Sequence, residues 1–224
     1  MLLLVTDTSG KNGSVALVHA ATGYDDVRVI ESAPLTGGTF SALLVPQIAA
    51  LLENHGFGKA DIDAFVVVSG PGSFTGLRVG LAAIKALAET LGKPIVAVSL
   101  LEVVALASAH QGRVLAALDA GRGDIYAGEY ELEDGATRLV REQLLTKAEF
   151  LQQARGLLVS TTEESLAAIS REAGLSVRLI EASAEMIARL GCRKLRAGET
   201  VAADQLDANY IRRTDAEIFS KPGS

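Results

Sequence analysis

The sequence predicts a two-lobed α/β protein made by internal duplication, each lobe a mixed sheet with helices against it. Three observations predict it. The order strand, strand, strand, helix, strand, helix, strand, helix, read along the first half, is read again along the second. Each unit opens on a short apolar run that ends in an aspartate: residues 2–6 run into Asp7-Thr8-Ser9, and residues 114–118 into Asp119-Ala120-Gly121. In both units three consecutive strands precede the first helix. That requires an antiparallel meander, to which the later strand–helix–strand units add strands in parallel. A cleft between the lobes follows.

In the first unit, Lys11-Asn12-Gly13 is turn chemistry between the opening strand and a second at 14–19, and a third strand lies at 27–31. Leu44, Ile48, Leu51 and Leu52 recur at helical spacing within 41–55, where Pro46 is expected to kink the helix or mark its first turn. Residues 64–69 are apolar without alternation, as in a strand covered on both faces. A helix over 75–91 is closed by Gly92 with Pro94 beyond it, and a short strand at 95–98 and a helix at 100–110 follow. In the second unit, strands are read at 114–118, 125–131 and 137–143, the last two parted by Asp134-Gly135. Thr146 with Glu149 forms a capping box for the next helix. A strand at 157–160 leads to a second box, Thr161 with Glu164, for a helix ending at Ala173 before Gly174. A strand at 177–180 and a helix at 183–190 complete the unit. The lobes are placed at 1–110 and 111–204, with a tail at 205–224 packing back on the first.

Composition narrows the function. The chain has 224 residues, 49% hydrophobic but only 4% aromatic with no Trp, so the core is aliphatic. A formal net charge of −6 argues against gripping nucleic acid alone through its phosphates, which calls for a basic surface. The single cysteine, Cys192, forms no internal disulfide, as suits a reducing compartment. The opening apolar run meets Asp7 at once, has no basic region before it and is too short to span a bilayer. A cytoplasmic chain without membrane attachment is the expectation.

The most distinctive segment is Ser69-Gly70-Pro71-Gly72-Ser73-Phe74-Thr75-Gly76-Leu77-Arg78, between a buried strand and a long helix. It is not a P-loop, because Leu77-Arg78 follows the last glycine. It is not a dinucleotide fingerprint either, because its third glycine comes one residue late. A tight strand-to-helix turn without a ligand and an anion site at the helix start both remain open, with Ser73 or Thr75 as the cap. In the helix that follows, Leu77, Leu81, Ile84, Ala88 and Leu91 form an apolar stripe, and Gly80, Ala82, Ala83 and Ala86 leave the rest small and uncharged. A helix so widely apolar is buried in its own domain or covered by a partner. The helix over 41–55 is similar, and the two side by side can form half of an intermolecular bundle.

Three segments together resemble the TsaB/YeaZ family: Leu4-Val5-Thr6-Asp7-Thr8-Ser9 with Ser14-Val15-Ala16-Leu17; the glycine-rich segment through Val79-Gly80, with Lys85 and Gly92-Lys93-Pro94-Ile95; and Leu118-Asp119-Ala120 with Asp124-Ile125-Tyr126, joined by Tyr210-Ile211-Arg212. The resemblance runs over residues 1 to about 130 and is thin beyond. It implies the duplicated actin-like, sugar-kinase (ribonuclease H-like) superfold. It also implies a role in forming threonylcarbamoyladenosine in bacterial tRNA, as a non-catalytic subunit paired with a TsaD-like catalytic subunit and joined by a TsaE-like ATPase. On that reading tRNA is met through the complex. ATP and Mg²⁺ are used by the complex and no cofactor is required by this chain, which forms a homodimer when alone. The implied contacts are Phe40, Leu44, Ile48, Leu51 and Leu52 on the first helix and Phe74, Leu77, Arg78, Leu81, Ile84, Lys85 and Ala88 on the second. Two departures stand out. Phe40 occupies a position where the family often has His, and Val159-Ser160-Thr161-Thr162 lacks the glycine-rich turn that contacts adenine.

No catalytic residue is assigned. Asp7, Thr8, Ser9 and Asp119 are the candidates for a vestigial nucleotide cleft, where Asp7 and Asp119 either hold a hydrated Mg²⁺ or serve as turn and cap residues. His19, His55 and His110 have no metal-binding spacing, and no metal is expected. Neither a G-x-S-x-G elbow nor an activated cysteine is present, Cys192 reading as a helix-end residue. An independent ATPase or small-molecule kinase is the alternative, and a peptidase the second. Arg193, Lys194, Arg196, Arg212 and Arg213 are either a phosphate-contacting cluster or a solvated basic face.

Overall fold

The computed structural model describes residues 1–21 and 26–211. The first unit runs β1 (Leu2–Asp7), β2 (Asn12–Ala20), β3 (Val27–Thr36), α1 (Phe40–Asn54), β4 (Ala64–Gly70), α2 (Phe74–Leu91), β5 (Ile95–Ser99), α3 (Leu100–Ala107). The second runs β6 (Gly112–Gly121), β7 (Asp124–Glu133), β8 (Ala136–Thr146), α4 (Lys147–Gln153), β9 (Leu158–Thr161), α5 (Glu164–Glu172), β10 (Ser176–Leu179), α6 (Ala184–Arg196). The eight-element order is repeated in full. The sheets match as well: β3-β2-β1-β4-β5 and β8-β7-β6-β9-β10, with the first three strands of each unit antiparallel and the last two parallel. This is the ribonuclease H-like topology in duplicate, the actin-like superfold.

Strand patterning explains the layers. Side chains alternate across a strand, so Leu4 of β1 and Phe65 and Val67 of β4 point to one face, under α1 and α2. Leu3, Val5, Val66 and Val68 point to the other, under α6. Both faces of the central strands are covered, which is why residues 64–69 show no polar alternation. The second sheet is covered by α4 and α5 on one face and by α3 on the other.

The division of the chain differs from the expected lobes at 1–110 and 111–204. Helix α6, from the second unit, lies on the first sheet, where Ile187, Ala188, Leu190 and Cys192 pack against Val66, Val96 and Val98. Helix α3, from the first unit, lies mainly on the second sheet through Leu101, Val104 and Ala105. The units thus exchange their last helices. Periodicity marks which face of a helix is apolar but not which sheet it meets, so this exchange left no trace in the sequence. The exchange also makes the lobes mutually dependent, since each buries apolar surface that the other unit's helix covers. Residues 201–208 pack on the first lobe, where Val201 pairs with Ile95 and Leu206 is buried with the α1/α2 core, and Ile211 packs against the second lobe's core. The rest of the expected tail, 212–224, lies outside the described residues.

Helix ends follow the predicted chemistry with one exception. Ser73 caps α2, its Oγ accepting from the Gly76 N–H at 3.3 Å, and Gly92 closes it in the left-handed region. Thr146 and Glu149 form the expected capping box. Thr161 does not cap α5, which begins at Glu164 with Glu163 as its cap residue. The Thr161 Oγ1 accepts the Glu163 N–H instead, closing a local turn. α1 continues through Pro46.

Candidate protein interface and interlobe cleft

The outward side of α1 and α2 is the candidate interface. Both helices lie on the same face of the first sheet and pack against each other. The large apolar side chains assigned to the partner face the other way. Phe40, Leu44, Ile48, Leu51, Leu52, Leu77, Leu81, Ile84 and Ala88 are all buried in this chain's own core, Ile84 at 0% exposure. This corrects the assignment: a sheet must be covered first, and the bulkiest stripe of each helix does so. Of the predicted contacts, Phe74 and Arg78 are exposed and Lys85 is half-buried.

What the two helices present to solvent is smaller and still apolar. On α1 it is Ala42, Leu43, Val45, Pro46, Ala49 and Ala50, with Val45 52% exposed and no charged residue before Glu53. On α2 it is Ala82 and Ala86 with the half-buried Val79, Ala83 and Leu87, flanked by Arg78, Lys85 and Glu89. On α2, Ala82, Ala83 and Ala86 were legible as small residues in the helical pattern, but their direction was not, and on α1 only the wide apolar coverage was legible. Small side chains let another backbone approach closely, as the sequence suggested for α2. Beside the starts of both helices lies a cavity of about 330 Å³ that reaches from Lys11 and Gly38 to Ser73 and Val79.

The glycine-rich segment is shaped by this chain's own backbone. A Cβ at Gly72 would lie 2.3 Å from the Ser9 carbonyl oxygen, at Gly76 2.2 Å from that of Thr8, and at Gly80 2.2 Å from Thr8 Oγ1. The Ser73 N–H donates to the Ser9 carbonyl at 2.6 Å. The glycines allow α2 to sit directly on the end of β1, which accounts for their spacing without a bound phosphate.

A larger cleft, about 1010 Å³, runs between the lobes. Asp7, Ser9 and Asp119 line it, as their positions at the ends of equivalent strands predicted, together with Lys11, Tyr126, Glu163 and Glu181. Thr8 is not among them; it is buried beneath α2 against Gly80. Asp7 Oδ1 accepts from both the N–H and the hydroxyl of Ser9, at 2.8 and 2.5 Å. Burial nonetheless holds its carboxyl above the ordinary range, outweighing those bonds. Asp119 Oδ1 accepts the Gly121 N–H, and Glu163 accepts the Asp119 N–H. Glu163 is raised by burial first and by the Asp119 charge as well. These residues do not fit a nucleotide with its metal. Asp7 and Asp119 are engaged in local turns and Glu163 by the Asp119 N–H, four acids line the cleft with Lys11, and the segment Val159-Ser160-Thr161-Thr162 is tied inward by Ser160 Oγ donating to the Val104 carbonyl at 2.9 Å. No step is derived through such a group.

The basic residues near the end of α6 are neither a phosphate cluster nor a free solvated face. Arg193 donates to the Gly135 carbonyl, Arg196 to that of Ala21, and Lys194 pairs with Glu102 at 3.1 Å and with Glu199. Two of these ties join the first lobe's α6 to the second lobe's turn and to α3. Arg212 and Arg213 lie outside the described residues. Among the described residues no helix is long and apolar enough to cross a membrane, and no three His, Cys, Asp or Glu side chains converge as a metal site.

A family model described as TsaD, tRNA N6-adenosine threonylcarbamoyltransferase, matches residues 35–206. The tRNA threonylcarbamoyladenosine biosynthesis protein TsaB of Escherichia coli (strain K12) is 30% identical over 96% of this chain and 96% of its own length. That of Bacillus subtilis (strain 168) is 32% identical over 69% of this chain and 66% of its own. Among solved structures, YeaZ from Pseudomonas aeruginosa superposes with a TM-score of 0.73 at 28% identity, covering 93% of this chain and 100% of that one.

Proposed function

The chain belongs to the TsaB/YeaZ family of tRNA threonylcarbamoyladenosine biosynthesis proteins, and on that premise we propose that it serves as the non-catalytic half of a heterodimer with a TsaD-like subunit. The observation that carries this reading is the outward side of α1 and α2, apolar and almost uncharged over two long adjacent helices. Such a surface is costly to leave in water. The match of residues 35–206 to the TsaD model supports a partner of the same ancestry. A related partner carrying the same helix pair can meet this one in a pseudo-twofold arrangement, as isologous interfaces do. Alone, two copies meet by the same face and form a homodimer.

On this reading the work of this chain is to complete the partner's fold, and threonylcarbamoyl transfer happens on the partner. A TsaE-like ATPase consumes ATP with Mg²⁺ on the assembly, and tRNA is held there; a net charge of −6 and the internally paired Arg193, Lys194 and Arg196 support assigning tRNA contact elsewhere. The setting is the cytoplasm. The self-engaged carboxylates of the cleft weigh against an independent ATPase or kinase.

The test uses Ala82→Asp and Ala49→Asp, both at exposed positions. Each is expected to leave the circular dichroism of the isolated chain unchanged, to make it a monomer with no more than the homodimer's share of its melting temperature lost, and to abolish co-purification with the TsaD-like subunit and tRNA modification by the reconstituted set. An interface of ordinary size buries about 1,600 Å², and a charge at its dry centre loses at least ~100-fold in affinity. Wild-type pairing by both variants would reject the helix face as the site.

A further inference from the structure

We propose that residues 201–211 form a latch: Asn209 ties the second lobe to the loop before α2, and its neighbour Tyr210 sets the exposed side chains at the start of α2. The inference goes beyond pairing itself, and its association arm rests on that reading.

The segment is anchored before it reaches the loop. The Val201 N–H donates to the Ile95 carbonyl at 2.9 Å, and Leu206 is buried under α1 and α2. Asn209 then makes two bonds in different lobes. Its N–H donates to the Ser69 carbonyl at the end of β4, at 2.7 Å, and its Nδ2 to Glu142 Oε2 of β8, at 2.6 Å. Glu142 is fully committed at this point, since its other oxygen accepts the hydroxyls of Ser99, at the end of β5, and Tyr130 of β7. Gly70 shows that the contact is built into the loop. It has φ +126°, and a Cβ there would lie 3.1 Å from the Asn209 carbonyl oxygen.

One residue on, Tyr210 reaches the candidate interface. Its ring lies 5.2 Å from that of Phe74, tilted by 36°, and its hydroxyl accepts from Arg78 Nε at 3.2 Å. The Arg78 guanidinium in turn covers the Phe74 ring at 3.7 Å. Phe74 and Arg78 are exposed beside the apolar helix face. Left alone, an exposed arginine and phenylalanine sample several rotamers, and ordering them on binding costs entropy; held by Tyr210 they are pre-organised. Because 209 and 210 are consecutive, the backbone that the Asn209–Glu142 bond helps to hold is the one that carries Tyr210 to that cluster. The position of the second lobe is thereby read out at the docking face.

The polarity of the Asn209–Glu142 bond supplies the test. Asn209→Asp places a second carboxylate where the amide donates, so the latch opens. Combining it with Glu142→Gln reverses donor and acceptor. The amide then at position 142 donates to the carboxylate at position 209, while its oxygen still accepts from Ser99 and Tyr130. Hydrogen exchange of the isolated chain and calorimetry with the TsaD-like subunit are measured for both. Asn209→Asp is expected to speed exchange across residues 70–80 and to weaken association about tenfold, with both restored by the swap, as paired residues do in a double-mutant cycle. Unchanged exchange across 70–80 in Asn209→Asp, or a swap that restores neither quantity, overturns the latch. A wild-type chain that does not bind the TsaD-like subunit overturns the pairing reading instead, and exchange alone then decides the latch.

Discussion

Helices α1 and α2 of the first unit correspond in order and position to α4 and α5 of the second, yet the two pairs present opposite surfaces. The first pair spans 15 and 18 residues and turns Ala42, Val45, Ala49, Ala82 and Ala86 outward. The second spans 7 and 9 residues and turns Lys147, Glu149, Gln152, Glu164, Arg171 and Glu172 outward. Both bury an apolar stripe on their own sheet, so the fold does not require the difference. Duplication supplies two equivalent platforms; one has stayed solvated and the other has become long, smooth and apolar. The approaches to α2 and α5 diverge in the same sense. Gly72, Gly76 and Gly80 seat α2 on the end of β1, whereas the segment leading into α5 contains no glycine.

The sharpest break of this comparison is within α2 itself. Ile84→Asp, at a fully buried position, should cost about 4 kcal/mol or more and leave little folded protein. Ala82→Asp, two residues away and exposed, should stay folded and lose no more than the stability that homodimer formation adds. Equal losses in thermal unfolding would mean that the two faces are not distinct. Next, Gly76→Ala should destabilise by roughly 2 kcal/mol, because its methyl meets the Thr8 carbonyl oxygen. Gly174→Ala, after α5, has open space and carries only the strain of its positive φ of 74°, a cost of about 1 kcal/mol. Chemical denaturation of both variants ranks the two seats.

A pH series compares the paired strand ends. The folded-state pKa of Asp7 is raised, so its ionised form costs stability above that pKa, and the cost disappears as pH falls below the unfolded value. Asp7→Asn keeps an acceptor for Ser9. It is expected to raise the melting temperature at pH 7, with the gain shrinking as the solution is acidified. A gain that grows on acidification would reverse the sign assigned to Asp7. The smallest effect belongs to the solvated pair. Arg171→Glu removes an exposed ion pair with Glu164 and should change stability by about 0.5 kcal/mol or less, with association untouched. Weakened co-purification of that variant would bring α4 and α5 into the interface.

Much of this was readable beforehand. The order of all sixteen strands and helices and the cap at Thr146 follow from spacing, because they depend on residues near in sequence, and the placing of Asp7 and Asp119 in one cleft follows from the repeat; the choice of Ser73 over Thr75 as the cap of α2 came from the structure. The failures have two causes, a competing local bond and partners far away in sequence. Thr161 carries the spacing of a capping box, but its hydroxyl closes a turn one step earlier. Arg193, Lys194 and Arg196 read as a basic patch until carbonyls and carboxylates from distant segments are seen to occupy them.

By itself, the sequence determined an aliphatic α/β chain, duplicated, with two helices too apolar to be explained by one buried stripe. Tertiary structure alone decided which stripe each helix turns to its own sheet, which lobe α3 and α6 belong to, and that residues 209 and 210 join the second lobe to the start of α2. Periodicity records that a side chain seeks cover. Only the packed chain shows whether that cover comes from its own sheet, from the other unit or from a second protein.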